Sequence, residues 1–181
     1  GWDWLRFDGA PAQLIVDRAR LADLIVLSLP GGEDAPRESA QAIAADVLVH
    51  ARAPVLAVPA AARGFDGAGR GLVAWDGSLE SSHALRLNLP MLRRASAVDI
   101  VTVTDSHSEF PATDACHYLA RHGIEAELCE WPRQGRSTAE ALLDAAAARS
   151  AGWIVMGAYG HTRLREAVLG GATRDMLHAS P

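Results

Sequence analysis

The chain lacks most of the features that would tie it to a special environment. Its 181 residues include two cysteines, Cys116 and Cys129, with no metal-ligand spacing. A zinc-type cluster is therefore excluded, and the two read as buried thiols of a reducing compartment. No apolar run approaches the ~18 residues that a membrane-spanning helix needs. No signal-peptide pattern opens the sequence, although its first residue is Gly1 and not Met. The expected location is cytoplasmic, with no membrane partner. Positive charge is also scarce: 17 basic residues stand against 22 acidic ones, for a net charge of −5. No basic stripe appears, which argues against a nucleic-acid partner. The seven histidines are scattered. His117 and His122 are five apart and do not share a helix face, so no metal site is expected. Nothing resembles an acid–base pair or an activated nucleophile, so no catalytic residue is assigned. Ser78 has neither a G-x-S-x-G elbow nor a placed histidine.

What is present is apolar and evenly spread. Apolar residues make up 49% of the chain and charged residues 22%, enough for a packed core. Short runs rich in β-branched residues stand at Leu24–Leu27, Val55–Val58, Leu72–Trp75, Ile100–Val103 and Trp153–Met156. They barely alternate, as parallel strands covered on both faces do. Ile124–Trp131 alternates more and reads as a strand with one wetter face. Helical spacing fills the gaps at Pro11–Ala22, Ser39–Ala51, Leu79–Ala95, Thr113–Arg121, Thr138–Arg149 and Gly171–His178. Pro11 suits a first helical turn, Ser78 an N-cap, and Pro90 must kink or end its helix. Alternating strands and helices predict an α/β, Rossmann-like parallel sheet with helices on both faces.

A weak internal repeat runs through this pattern. "LADLIVLSLPGG" (21–32) aligns with "SAGWIVMGAYGH" (150–161), placing Ser28 under Gly157 and Gly31 under Gly160. "ADVLVHARAP" (45–54) then matches "TRDMLHASP" (173–181), and Trp4 falls near the place of Trp131. The reading is a tandem repeat. Residues 1–59 form the back half of a first, degenerate copy and 60–69 a small-residue linker. Residues 70–181 form a second copy without its last strand, in a window on a longer protein. One irregular α/β domain with chance similarity is the alternative.

The second copy carries the chemistry. "MGAYGHTRLREAVLGGAT" (156–173) places four glycines, Gly157, Gly160, Gly170 and Gly171, around a strand end and a helix start. Backbone N–H groups at such a turn surround a phosphate without bulk, and the helix dipole favours its charge. Glycines let the backbone approach the ligand or adopt φ > 0. Thr173 adds a hydroxyl just inside the helix. Ligands in open α/β sheets sit beyond the carboxyl ends of strands, and Asp76 directly follows the strand in "LVAWDGS". Its carboxylate can accept from ribose hydroxyls or an exocyclic amine, or simply form a turn with Ser78.

"AWDGS", "IVTV" and the glycine motif together resemble the universal stress protein family, over nearly all of residues 70–181. The resemblance implies an adenine-nucleotide-hydrolase-like fold and an ATP site, with or without Mg²⁺. Asp76 would contact the adenosine part and the backbone near Val103 would line the base. Met156, Gly157 and Gly160 would approach ribose and phosphates. Gly170, Gly171 and Thr173 would hold phosphate oxygens. One position departs: Gly171 stands where the family has Ser or Thr, which removes one hydrogen bond and about tenfold in affinity. The first copy lacks the later glycine pair, with Gln41 and Ala42 in its place, so no nucleotide is expected there. Three functions stay open: a nucleotide-responsive stress regulator, a dimerising module whose glycines only turn and pack, and an adenylating enzyme of a related fold. Pairing into a homodimer and pairing of the two copies within one chain also both stay open. Tyr159, His161, Arg163 and Arg165 sit between the motif glycines, and the tryptophans read as core and edge packing.

Overall fold

The computed structural model describes residues 1–29, 37–104, 110–158 and 171–179. The chain divides into two compact units, Gly1–Ala60 and Ala61–Pro181.

The first unit contains α1 (Pro11–Arg18), β1 (Ile25–Ser28), α2 (Arg37–His50) and β2 (Val55–Val58). α1 starts on its proline, which gives up no intrahelical bond in a first turn. It ends sooner than its apolar spacing predicts. A single 3₁₀ turn, Ala19–Leu21, follows, and Ala22 is extended. β1 and β2 pair in parallel from Ile25↔Val55 to Ser28↔Val58. The core is small: Ala12, Ile25 and Val47, with Ile15, Val16, Leu27 and Ile43 against it. Residues 1–10 form no strand or helix. Trp2 and Trp4 are 91% and 81% exposed. This corrects the expectation that all tryptophans pack and that Trp4 is equivalent to Trp131, which lies inside a strand. With no regular element at residues 1–10, these rings have no layer to lie against.

The second unit runs β3 (Gly71–Ala74), α3 (Leu79–Leu87), α4 (Leu89–Leu92), β4 (Val98–Thr104), α5 (Ala112–Arg121), β5 (Ala126–Pro132), α6 (Thr138–Arg149), β6 (Trp153–Val155) and α7 (Gly171–Ala179). Pro90 ends one helix and opens another. It occupies the first turn of α4, while Asn88 closes α3 with its backbone N–H on the Ala84 carbonyl. The four strands are all parallel, in the order β5-β4-β3-β6. From β3 the chain winds outward through β4 to β5, then returns across to β6 on the other side. One face is closed by Val73, Trp75, Ile100, Leu85, Leu92 and Leu119, under α3, α4 and α5. The other is closed by Leu72, Val101, Val103, Leu142 and Met176, under α6 and α7. This is the expected doubly covered parallel sheet of a Rossmann-like fold. β5 is an edge strand, and it is more open than the expected single wet face: Glu127 and Glu130 are exposed, and so is Leu128 on the face opposite Glu127.

The amino end of the sheet holds a buried carboxylate. Asp99, the second residue of β4, is fully buried. Its oxygens accept from Arg70 Nη1 at 2.9 and 3.0 Å, from Arg149 Nη2 at 2.7 Å and from Arg149 Nε at 3.2 Å. Arg149 also pairs with Glu127 of the neighbouring strand. A lone charge there would be costly, and two guanidinium groups answer it.

Candidate functional site

Neighbouring strands of this sheet send their chains in opposite directions at the exits of β3 and β6. That switch point is where open α/β sheets leave a crevice. β3 delivers Trp75 and then Asp76. Trp75 is 4% exposed. Its backbone N–H donates to the Val101 carbonyl at 2.9 Å, and its indole Nε1 donates to the Phe110 carbonyl at 3.1 Å. The register ends with Ala74 paired to Val101, so Asp76 lies two residues past the last paired residue of β3, while β4 runs on through Val103 to Thr104. Adjacent strands lie about 4.8 Å apart.

Asp76 is exposed and makes a turn. Its Oδ1 accepts from the Ser78 N–H at 3.0 Å and from the Ser78 hydroxyl at 2.6 Å. Gly77 lies between them at φ 77°, a left-handed conformation that favours glycine. Ser78 in turn caps α3, its Oγ accepting from the Ser81 N–H at 3.1 Å. No hydrogen bond among the described residues engages Oδ2 of Asp76. The turn reading of Asp76 is therefore observed, and one carboxylate oxygen remains for another partner.

β6 delivers Met156 and Gly157. Met156 is half-buried against the α6/α7 core. Gly157 does not use the left-handed region, so a positive φ is not what requires glycine there. A Cβ built on it falls 2.7 Å from the Glu80 carbonyl carbon, 2.7 Å from the Ser81 nitrogen and 2.9 Å from Glu80 Cβ. Its bareness lets the exit of β6 lie directly on the first turn of α3. Gly171 is the opposite case: it opens α7, is exposed, and a Cβ there meets nothing within 4 Å among the described residues. Thr173, in the same helix, is 8% exposed. Met176, three residues on, joins the core that contains Val103. Gly160 and Gly170, like Tyr159, His161, Arg163 and Arg165, lie outside the described residues.

The structure thus gathers Asp76, Val103, Met156 and Gly157 on one rim of the sheet. Thr173 lies in a helix on the Val103 side. Among the described residues no group of three or more His, Cys, Asp or Glu side chains gathers as a metal site would. No described helix is long and apolar enough to cross a membrane. Both cysteines are free and half-buried, and burial pushes both thiols up. The sequence reasoning missed Glu80 and Ser81, the neighbours of Gly157. Serines at 78 and 81 have N-cap spacing, but nothing local points them at residue 157. It also missed Asp99, whose only signal is an acid inside the apolar run "VDIVTV".

The fold defines a class: α/β proteins with a doubly covered parallel sheet whose strand order has a switch point at β3 and β6. No family model matches the chain, and no curated protein matches it. Among solved structures it is similar to a universal stress protein from Archaeoglobus fulgidus, with TM-score 0.70 and 18% identity over 94% of this chain and 64% of that one. The chain therefore spans less than two thirds of that protein's length, and the likeness is one of fold. It is also similar to protein Rv1636 from Mycobacterium tuberculosis, at 17% identity over 64% of this chain and 91% of that one, with TM-score 0.45. That second likeness is too slight to argue from.

Proposed function

We propose that the chain is a universal stress protein of the two-copy kind. Its second unit binds an adenine nucleotide, ATP in the first instance, and occupancy alters a partner surface in a stress response. The carrying observation is Asp76, which follows the end of β3 at the switch point, with Oδ2 free of hydrogen bonds among the described residues. A carboxylate so placed accepts from ribose or an amine. Among the described residues nothing crowds Gly171, which suits a phosphate approaching a helix start. Gly160, Gly170 and Thr173 complete the expected anion cradle on the spacing of the motif. The two-copy reading draws on element order, since α6–β6–α7 repeats α1–β1–α2. The protein binds the nucleotide and turns it over slowly if at all, as no acid–base pair is assigned. Calorimetric titration with ATP and Mg²⁺ at millimolar concentration tests this: saturable heat supports it, and none refutes it.

A second reading has its own observation. Asp76 and Gly157 both have complete structural roles, in the turn and in the packing of α3. A ligand-free dimerising module needs nothing more from them. A thermal-shift titration separates the two, because only a ligand site makes the melting temperature rise with ATP. For the first unit we propose no nucleotide site, since Gln41 and Ala42 in α2 stand where the second unit has its glycine pair.

A further inference from the structure

We propose that Gly157 is a positioning residue: it admits no phosphate, but seats β6 on α3 so that the Asp76 turn is held for the nucleoside. The inference rests on the nucleotide reading above and assigns one of its motif glycines a different task.

A continuous set of contacts carries it. Gly157 lies against the backbone of Glu80 and Ser81, at distances no side chain tolerates. The Ser81 N–H donates to Ser78 Oγ, and the Ser78 hydroxyl and N–H both donate to Asp76 Oδ1. The Ser82 N–H adds a bond to the Ser78 carbonyl at 3.1 Å. The pose of the carboxylate is thus fixed through α3's first turn, and Gly157 sets where that turn lies against the sheet. Ordinary contact begins at 3.4 Å, so a methyl at 157 forces β6 and α3 apart by about 0.7 Å. The obstruction is backbone, so no rotamer change relieves it. The backbone at 157 also lacks the left-handed φ that would mark a glycine chosen for conformational freedom.

The consequence is a split between halves of the ligand. A glycine that admits phosphates matters to ATP and inorganic tripolyphosphate and not to adenosine. A glycine that holds the Asp76 turn matters to adenosine and ATP alike. The test compares the full chain with Gly157→Ala, measuring binding of adenosine, ATP and tripolyphosphate, and amide hydrogen exchange at Ser81 and Ser82. We expect adenosine and ATP to weaken by the same factor, about tenfold for one misplaced hydrogen bond. Tripolyphosphate binding should be unchanged, and Ser81 and Ser82 should exchange faster while α5 does not. Weaker ATP and tripolyphosphate with unaltered adenosine binding overturns the proposal, as does unaltered exchange at Ser81. If the unsubstituted chain binds none of the three, the nucleotide reading falls, and exchange at Ser81 alone decides the seating. Should Gly157→Ala fail to fold, Ser78→Ala loosens the same turn and must reproduce the equal loss of adenosine and ATP. A loss confined to ATP there overturns the proposal too.

Discussion

Asp76 and Asp99 are carboxylates near opposite ends of neighbouring strands, and their surroundings give them opposite tasks. Burial alone would raise the Asp99 carboxyl, but the hydrogen bonds from Arg149 and Arg70 outweigh it and hold the group below its ordinary 3.8. The unfolded chain therefore takes up a proton at higher pH than the folded one. The stabilisation is fully present above the ordinary value and is lost as pH falls through the lower, folded value. Acid titration of stability should show this loss below pH 3.8 in the native chain and its absence in Asp99→Asn. That substitution should also cost about 3 kcal/mol at neutral pH in urea unfolding, because it leaves two guanidinium groups facing a neutral amide. At Gly171 the forecast is a gain. A Cβ there meets nothing within 4 Å among the described residues, so Gly171→Ser should leave the melting temperature unchanged. If the family resemblance holds at this position, it should tighten ATP about tenfold by calorimetry. Residues of this kind differ in how far sequence exposes them. The turn at Asp76 was legible because Asp-Gly-Ser is local chemistry. The packing of Gly157 on Glu80 was not, because it joins segments far apart in the chain.

At the scale of elements, most strands and helices were legible for a physical reason. Short β-branched runs without alternation mark strands, and all of those runs became strands, but burial on two faces holds in the second unit and not in β1, where Val26 is exposed. The boundaries were less secure. α1 stops at Arg18 although apolar spacing continues to Ala22, because a 3₁₀ turn takes over. Pro90 was read correctly as an interruption, since a missing N–H needs no tertiary context. α6 carries the clearest start signal in the chain. Ser137 Oγ accepts from the Glu140 N–H while Glu140 accepts from the Ser137 N–H, at 3.2 and 2.8 Å. Ser137→Ala should cost about 1 kcal/mol, read as a lower urea midpoint with an unchanged slope. A loss well under half of that would mean that the burial of its own Ala139, Leu142 and Ala145 against the sheet alone holds the helix.

At the scale of the whole molecule, the class of fold follows from strands alternating with helices, and the strand order β5-β4-β3-β6 places the switch point. The proposed repeat rests on weak sequence similarity and on element order, and it fails at Trp4, where residues 1–10 offer no strand. If ATP binds as proposed, saturating it at about 100 times its Kd adds about 2.7 kcal/mol to whatever unit holds the site. Hydrogen exchange should then slow in β3, β4 and β6 and stay unchanged in β1 and β2. Asp76→Asn tests the central claim most directly. Asparagine keeps the Oδ1 acceptor that Ser78 uses, so the turn and the stability should persist. It replaces the second acceptor with a donor, so adenosine and ATP affinity measured by calorimetry should fall at least tenfold. Undiminished binding by a folded Asp76→Asn protein would contradict a nucleotide held at this rim.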